Sequence, residues 1–211
     1  MKALLGKKVG MTQIFTDTGE VVPVTVIEAG PVAVTQVKTV QTDGYNAVQI
    51  GFEETKPHRV NKALTGHFNK ANVTVRKHLT EFKPEDGQVY EVGQILKAGD
   101  FEVGKKLDVA GISKGKGTQG NIKRHGHGRG PMTHGSKHKR LPGALAAGTF
   151  PSRVFKGTVG PGRMGRKTVT VQNVVLVKVI EERNLLLVKG AVPGRKGGLL
   201  RIQYAVKGQG K

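Results

Sequence analysis

Residues 113–167 read SKGKGTQGNIKRHGHGRGPMTHGSKHKRLPGALAAGTFPSRVFKGTVGPGRMGRK, and this stretch decides how the rest of the chain is organised. It contains thirteen Lys and Arg, four His and thirteen Gly, and no Asp or Glu. Its few apolar residues cannot bury a core and its charges repel one another, so we expect it to be disordered or loosely extended when free. A polyanion would neutralise and order such a segment, and nucleic acid is the obvious polyanion.

The positive charge of the chain is concentrated in this basic segment. The 211 residues include 35 Lys and Arg against 15 Asp and Glu, a formal net charge of +20, and the 156 residues outside the segment hold 22 and 15, a charge of +7. The remainder therefore has the composition of one mildly basic globular core. The chain has no Cys, which excludes disulfides, thiolate metal sites and a Cys nucleophile.

Targeting signals are missing from the sequence. The first ten residues contain three Lys and no run of seven apolar residues, and no stretch of the chain is long and apolar enough to span a membrane. We therefore expect no signal peptide, no membrane partner and a cytoplasmic protein.

The sequence on both sides of the basic segment predicts a mainly β fold. Short runs of apolar and polar residues are separated by Gly-containing turns, a pattern that favours a barrel or a sandwich. Leu185–Lys189 is almost entirely apolar, and we expect it to be a central strand. Strands are predicted at Met11–Phe15, Glu20–Ile27, Val32–Val40, Tyr45–Phe52, Gln88–Val92, Lys106–Ile112, Thr168–Ile180, Leu185–Lys189 and Leu199–Val206.

The basic segment therefore interrupts a single domain. We predict a discontinuous β domain formed by 1–112 and 168–211, with 113–167 as a long irregular extension. A small α/β insertion is expected at about 56–84, with a helix at Val60–Lys70. Residues 56–82 include nine basic side chains, counting His, and one acid, which makes them a candidate second RNA contact.

Two glycine motifs resemble phosphate-binding loops, and neither has the context such loops need. Gly115–Gly120 matches G-x-G-x-x-G, but we expect no helix after Gly120 because Gly126 to Pro131 follow too soon, and no acid lies about 20 residues further on. Gly160–Thr168 comes near a P-loop, but Arg166 interrupts its end and no helix is predicted downstream. Because the acids are scattered and no nucleophile-elbow pattern occurs, we expect no enzyme, no cofactor and no small-molecule substrate.

Four histidines in the basic segment have spacings that metal sites also use: His125, His127, His134 and His138. The segment has no Cys or carboxylate to complete a site, and its thirteen cations oppose a divalent ion. We therefore expect no metal. The histidines are interpreted as groups that hydrogen-bond to RNA or stack on bases, with solvated side chains as the alternative.

A run of charges is usually a solvated face or a disordered tail. This run is internal, tied at both ends to predicted strands and rich in Gly, which lets the backbone approach phosphates while Lys and Arg neutralise them. Phe150 and Phe155 are its only aromatic residues, so we expect contacts to RNA backbone and shape more than to stacked bases. The candidate RNA-binding residues are Lys114, Lys116, Lys123, Arg124, His125, His127, Arg129, His134, Lys137, His138, Lys139, Arg140, Arg153, Lys156, Arg163, Arg166 and Lys167.

Six motifs that occur together and in order carry a family resemblance. They are LLGKKVGMTQ at 4–13, GHF at 66–68, KGKG at 114–117, THGS at 133–136, RVFKG at 153–157 and NLLLVKGAVPG at 184–194. The motifs span both ends of the chain, and the last is highly specific. With them the chain closely resembles the bacterial L-three family of large-ribosomal-subunit proteins.

The resemblance implies a structural constituent of the large ribosomal subunit with a translation-factor-like six-stranded β-barrel. It implies direct binding to large-subunit (23S) rRNA, early assembly near the 3′ end of that rRNA, and neighbouring large-subunit ribosomal proteins as partners. The alternative is a free-standing RNA-binding translation or assembly accessory protein. A high-salt wash separates the two, because a structural component stays with the large subunit.

The resemblance also implies that the long extension reaches toward the peptidyl transferase centre. The residues nearest that centre are expected to be Gly143, Ala144, Leu145, Ala146, Ala147, Gly148 and Thr149. Some family members carry a methylated glutamine in this loop. The matching position here is Ala147, so that modification is not carried over.

Overall fold

The computed structural model describes residues 3–84 and 88–208, so the outer ends of the predicted β domain and residues 85–87 lie outside the described residues. The strands are β1 (Ala3–Phe15), β2 (Val21–Ala29), β3 (Val32–Lys38), β4 (Ala47–Glu54), β5 (Arg76–Phe82), β6 (Ile95–Leu96), β7 (Lys106–Ile112), β8 (Gly117–Gln119), β9 (Gly162–Met164), β10 (Thr168–Ile180), β11 (Leu185–Lys189) and β12 (Leu199–Tyr204). The α-helices are α1 (Val40–Asp43), α2 (Lys62–Lys70) and α3 (Asn121–His125), and 3-10 turns lie at Pro57–Arg59, Ala98–Asp100 and Glu181–Arg183. The mainly β prediction is confirmed.

Six of the strands close into an antiparallel barrel in the order β1-β12-β7-β10-β11-β2, with β1 and β2 paired to close the ring. Alternation along each strand places one set of side chains inside. The largest of these are fully buried and form a single apolar core that includes Leu4, Ile27, Leu176, Leu186 and Ile202. β11 pairs with β10 on one side and β2 on the other, so the prediction of a central strand is confirmed.

β1 begins eight residues before the predicted start at Met11. The composition of the early residues suggests a loop, since they include Gly6, Lys7, Lys8 and Gly10. Gly6 is nevertheless needed in the strand, because no larger residue would fit there. A Cβ at Gly6 would lie 2.8 Å from the Glu28 carbonyl oxygen and 2.9 Å from the Ile27 Cγ2. The strand accommodates the following residues through a register shift between Lys8 and Gly10.

A second, four-stranded sheet has the order β5-β4-β3-β6. Phe68 of α2 is fully buried, and the apolar side chains of β3 and β4 belong to the same core as those of the barrel. The segments predicted at Val32–Val40 and Tyr45–Phe52 therefore form strands but lie outside the barrel. The insertion accordingly extends beyond 56–84, because alternation specifies which face of a strand is buried and not which strand lies beside it.

The strand predicted at Gln88–Val92 is wrong, since these residues form no strand. The edge of β3 is instead occupied by the following residues. Gly93 donates to the Val34 carbonyl, Gln94 accepts from the Val34 amide, and β6 continues the pairing. Val89 is 87% exposed, which shows that its β-forming side chain has no sheet to pack against.

The basic segment starts and ends at neighbouring strand ends, because Ile112 of β7 pairs with Thr168 of β10. The chain divides into two compact units, Met1–Ser113 with Thr168–Lys211, and Lys114–Lys167. Within the part of the chain that the structure describes, no helix has the length and apolar character needed to cross a membrane.

Candidate nucleic-acid interface

The two ends of the basic unit are organised into a small folded root, which we define as residues 114–125 and 159–167. β8 and β9 pair in antiparallel register, with Thr118 opposite Arg163. The Lys116 amide donates to the Met164 carbonyl at 3.0 Å and extends this pairing. The expectation of a wholly disordered or loosely extended segment is therefore wrong at its two ends, where backbone hydrogen bonds supply order without an apolar core.

A five-residue helix, α3, follows β8 directly. Gly120 is its N-cap residue, and Gly126 ends it in the left-handed conformation with φ 73°. The prediction that no helix opens after Gly120 is wrong, although the nearby glycine does limit the helix to little more than one turn. Arg124 extends from α3 and donates to the Gly160 carbonyl at 2.7 Å, and His125 Nε2 lies 3.1 Å from the same oxygen.

Asn121 fixes the other side of this contact. It is 4% exposed, and its Nδ2 donates to the Val159 carbonyl at 3.2 Å. Side chains of α3 therefore satisfy two consecutive carbonyls of the returning chain just before β9. Sequence reasoning missed Asn121, and the available signal was its place immediately after Gly120, where a polar residue at a helix start can reach nearby backbone.

Two glycines allow the root to close. Gly165 has φ +77°, and a Cβ there would overlap the Lys114 carbonyl oxygen. A Cβ on Gly162 would lie 2.6 Å from the Arg124 guanidinium Nη1. The near-match to a P-loop at Gly160–Thr168 thus serves chain packing, and β10 follows it, as expected from the lack of a predicted helix.

The arm, which we define as residues 126–158, contains no helix or strand. Local contacts nevertheless shape it. The Gly130 amide donates to the Lys139 carbonyl at 3.0 Å and closes a ten-residue loop, in which His134 has φ +54°. A side chain at Gly130 would overlap the His138 carbonyl oxygen, so glycine is required where the two ends of the loop meet.

The predicted RNA-binding side chains of the basic unit face solvent. All thirteen Lys and Arg of 113–167 are exposed except Arg124, which is half-buried, and all four His are exposed. The segment contains no carboxylate, so these cations have no acidic partner within it. Arg153 lies 5.4 Å from the centre of the Phe155 ring, a cation–π contact that leaves Phe155 55% exposed.

The thirteen Lys and Arg, twelve of them exposed, are spread over both parts of the unit. The root carries Lys114, Lys116, Lys123, Arg124, Arg163, Arg166 and Lys167. The arm carries Arg129, Lys137, Lys139, Arg140, Arg153 and Lys156. Such a surface can neutralise many phosphates along a nucleic-acid backbone.

The stretch expected near the peptidyl transferase centre, Gly143–Thr149, is exposed throughout and has no charge. Leu145 is 52% exposed, and the adjacent Phe150 is 89% exposed. This tip therefore differs from the rest of the basic unit: its side chains can pack against a surface and cannot attract phosphate by charge.

The basic residues of 56–82 have a different environment. Arg76 is buried and pairs with Glu54 at 3.2 Å, while Lys77 and Lys7 pair with Glu53 at 3.3 and 3.1 Å. Although burial opposes it, the hydrogen bonds from the two lysines hold the pKa of Glu53 below its usual value. Part of this charge is therefore neutralised inside the sheet, and the candidate second RNA contact is reduced to exposed residues such as Arg59.

The histidines do not form a metal site in the described structure. His125 and His127 lie with their ring centres 6.1 Å apart. Across residues 3–84 and 88–208, no group of three or more His, Cys, Asp or Glu side chains is placed to hold a metal ion.

Comparison with known proteins identifies what this arrangement resembles. Residues 86–185 match the family described as Ribosomal protein L3. The protein from Finegoldia magna named large ribosomal subunit protein uL3 is 58% identical over 207 residues, which cover 98% of this chain and 99% of that protein. Proteins of the same name from Carboxydothermus hydrogenoformans and Natranaerobius thermophilus are each 59% identical, with coverage of 99% and 98% of both chains respectively.

Proposed function

The chain belongs to the ribosomal protein L3 family, and from this membership we propose that it binds large-subunit rRNA directly, mainly through the basic unit Lys114–Lys167. It is a structural constituent of the large ribosomal subunit, a cytoplasmic ribonucleoprotein, and not an enzyme. Its partners are rRNA and the neighbouring proteins of that subunit. The observation that carries the proposal is the exposure of twelve cations in a unit that contains no acid.

The two units have separate roles in this proposal. The closed ring of β1, β12, β7, β10, β11 and β2 is a translation-factor-like barrel that shares its core with β3 and β4 and holds the ends of the basic segment side by side. The basic segment is the rRNA-penetrating extension. Its charges gain most from a site dense in phosphate, where counterion release drives association.

Binding to the rRNA near its 3′ end is proposed as an early step of subunit assembly. Chemical footprinting of the purified protein on full-length large-subunit rRNA tests both the direct contact and its place. Protection should be clustered near the 3′ end and should weaken when the cations of the arm are replaced by Gln, while the exposed cations of the root remain. Protection elsewhere, or none at all, would contradict this part of the proposal. Retention on large subunits through a high-salt wash separates a structural component from an accessory protein.

The tip is proposed to reach toward the peptidyl transferase centre. Deletion of Pro142–Phe150 removes no charge and no barrel core residue, so the barrel should stay folded and rRNA binding should weaken little. Subunits that contain the shortened protein should assemble late, translate poorly or respond differently to drugs bound at that centre. Wild-type assembly, peptide-bond formation and drug response would together refute a role for the tip.

A further inference from the structure

The hairpin formed by β1 and β2 extends past the strands on either side of it. β12 pairs with β1 only over Ala3–Lys7, and β11 pairs with β2 only over Val24–Glu28. Residues 11–23, which we call the ribbon, contain further pairs such as Phe15 opposite Val21. A two-stranded ribbon of this kind is marginally stable in water without a third surface.

One face of the ribbon is exposed and mainly apolar. Met11 is 53%, Phe15 67% and Val21 54% exposed. Alternation along β1 and the cross-strand register put these three side chains on the same face, together with exposed Pro23 and one polar side chain, exposed Gln13. A contiguous exposed face of this composition marks an interaction site more often than a solvated surface.

The charge of the ribbon excludes RNA, the partner proposed for the basic segment. Residues 9–37 contain no Lys, Arg or His, although the whole chain has a net charge of +20. The charged residues of the ribbon itself are Asp17 and Glu20, both exposed in the turn between the strands. Phosphate would be repelled here, and a second copy of the ribbon would bring four carboxylates together.

We propose that the ribbon is a docking site for a basic protein segment, in which an apolar anchor packs on Met11, Phe15 and Val21 while Lys or Arg side chains meet Asp17 and Glu20. The proposal rests on the proposed function in one respect: the partner is expected to be another protein of the large subunit. Apolar burial supplies the affinity, and the two carboxylates select a cationic partner over RNA.

Site-specific photocrosslinking in intact large subunits tests the proposal. The full-length protein carrying Phe15→benzoylphenylalanine is expressed in bacteria, its subunits are purified and irradiated, and the crosslinked product is identified by mass spectrometry. We expect a crosslink to a ribosomal protein, within a peptide rich in Lys or Arg. A crosslink to rRNA, a crosslink to a second copy of this chain, or no crosslink would each overturn the proposal.

Two matched probe positions show whether a crosslink is specific to the apolar face of the ribbon. Phe155→benzoylphenylalanine places the same probe on a similarly exposed phenylalanine of the basic unit, where rRNA should be crosslinked. If this variant captures rRNA and the Phe15 variant captures nothing, only the ribbon proposal fails. If the Phe155 variant captures no rRNA in subunits that contain it, the proposed function fails instead. The probe at Thr12, exposed on the opposite face of the ribbon, should crosslink the partner several-fold less.

The role of the carboxylates has its own test. Asp17→Asn together with Glu20→Gln should lower the Phe15 crosslink yield several-fold, since both side chains are exposed and their replacement leaves the barrel core intact. An unchanged yield would show that charge does not select the partner and would overturn that part of the proposal.

Discussion

Neutralising four cations of the arm should change how rRNA binding depends on salt. Arg129, Lys137, Lys139 and Arg140 are exposed and have no carboxylate partner within the segment, so their replacement by Gln removes charge without breaking an ion pair there. If each contacts one phosphate, the slope of log affinity against log salt should fall by about 3.6, at about 0.9 per phosphate for double-stranded DNA. Between 50 and 200 mM salt the unmodified protein should then lose about 150-fold more affinity than the variant.

Filter binding to large-subunit rRNA over a salt series measures these slopes. The matched control replaces four exposed cations of the barrel unit, Lys178, Arg183, Lys189 and Arg201, by Gln. It has the same loss of charge as the arm variant, from +20 to +16. If binding followed net charge alone, both variants would change the slope equally, and that result would refute a localised interface. A nearly flat series for the unmodified protein would refute the electrostatic argument altogether.

Three further results are expected. Gly165→Ala should destabilise the root by about 1–2 kcal/mol or more, because Gly165 has a positive φ and a Cβ there would overlap the Lys114 carbonyl. Amide exchange in β8 should become about tenfold faster or more. Gly128→Ala is the control, since a Cβ there meets no atom within 4 Å and should leave exchange in β8 unchanged. The hydrogen bonds from Lys38 and Tyr45 hold the pKa of Glu81 below its usual value, so its contribution to stability is present above the unfolded pKa and lost as pH falls through the folded pKa. Glu81→Gln should therefore flatten the acid dependence of the urea midpoint, and Glu182→Gln in an exposed turn should not. Trypsin should cut the free protein first within 123–140, and earlier cleavage in the barrel would contradict the proposed division of the chain.

The strands of the barrel could be predicted wherever the sequence repeats with a period of two. Lys106–Ile112 and Thr168–Ile180 have the predicted bounds because alternation and flanking turns define their ends, and Leu185–Lys189 has them because a short apolar run lies between two turns. The start of β1 could not be predicted in this way. Gly6 and the lysines after it suggest a loop, and their place in a strand depends on the distance to β2, which only the assembled barrel determines.

The pairing of strands with one another was the second feature that the sequence did not predict. β3 and β4 have the same alternation as the barrel strands but belong to the other sheet, and Gln88–Val92 has the composition of a strand without an edge to pair with. Composition specifies how a strand could be buried. Which partner it takes is determined by long-range packing, and that information is distributed over the whole chain.

The basic segment was predictable in its chemistry and only partly in its form. Charge, glycine content and the lack of acids within residues 113–167 predicted that the cations there are exposed, because these properties can be read from the segment itself. The root was missed because its order comes from neutral contacts: the backbone pairing of β8 with β9, and Asn121 and Arg124 donating to two consecutive carbonyls. Such contacts have no hydrophobic periodicity, which is the main signal that sequence reasoning uses.

The same contacts explain how a unit without acids can hold its shape and keep its charge available. Ion pairs would order the root but would also neutralise the side chains proposed to bind phosphate. Here carbonyl oxygens take the place of carboxylates as acceptors, and glycines such as Gly165 let the strands approach closely enough to pair. Arg124 is the half-buried one, and the other twelve of the thirteen cations remain exposed to a polyanion. In the proposed complex, rRNA would order the arm beyond the root, because its phosphates would neutralise the repulsion that otherwise keeps the chain open.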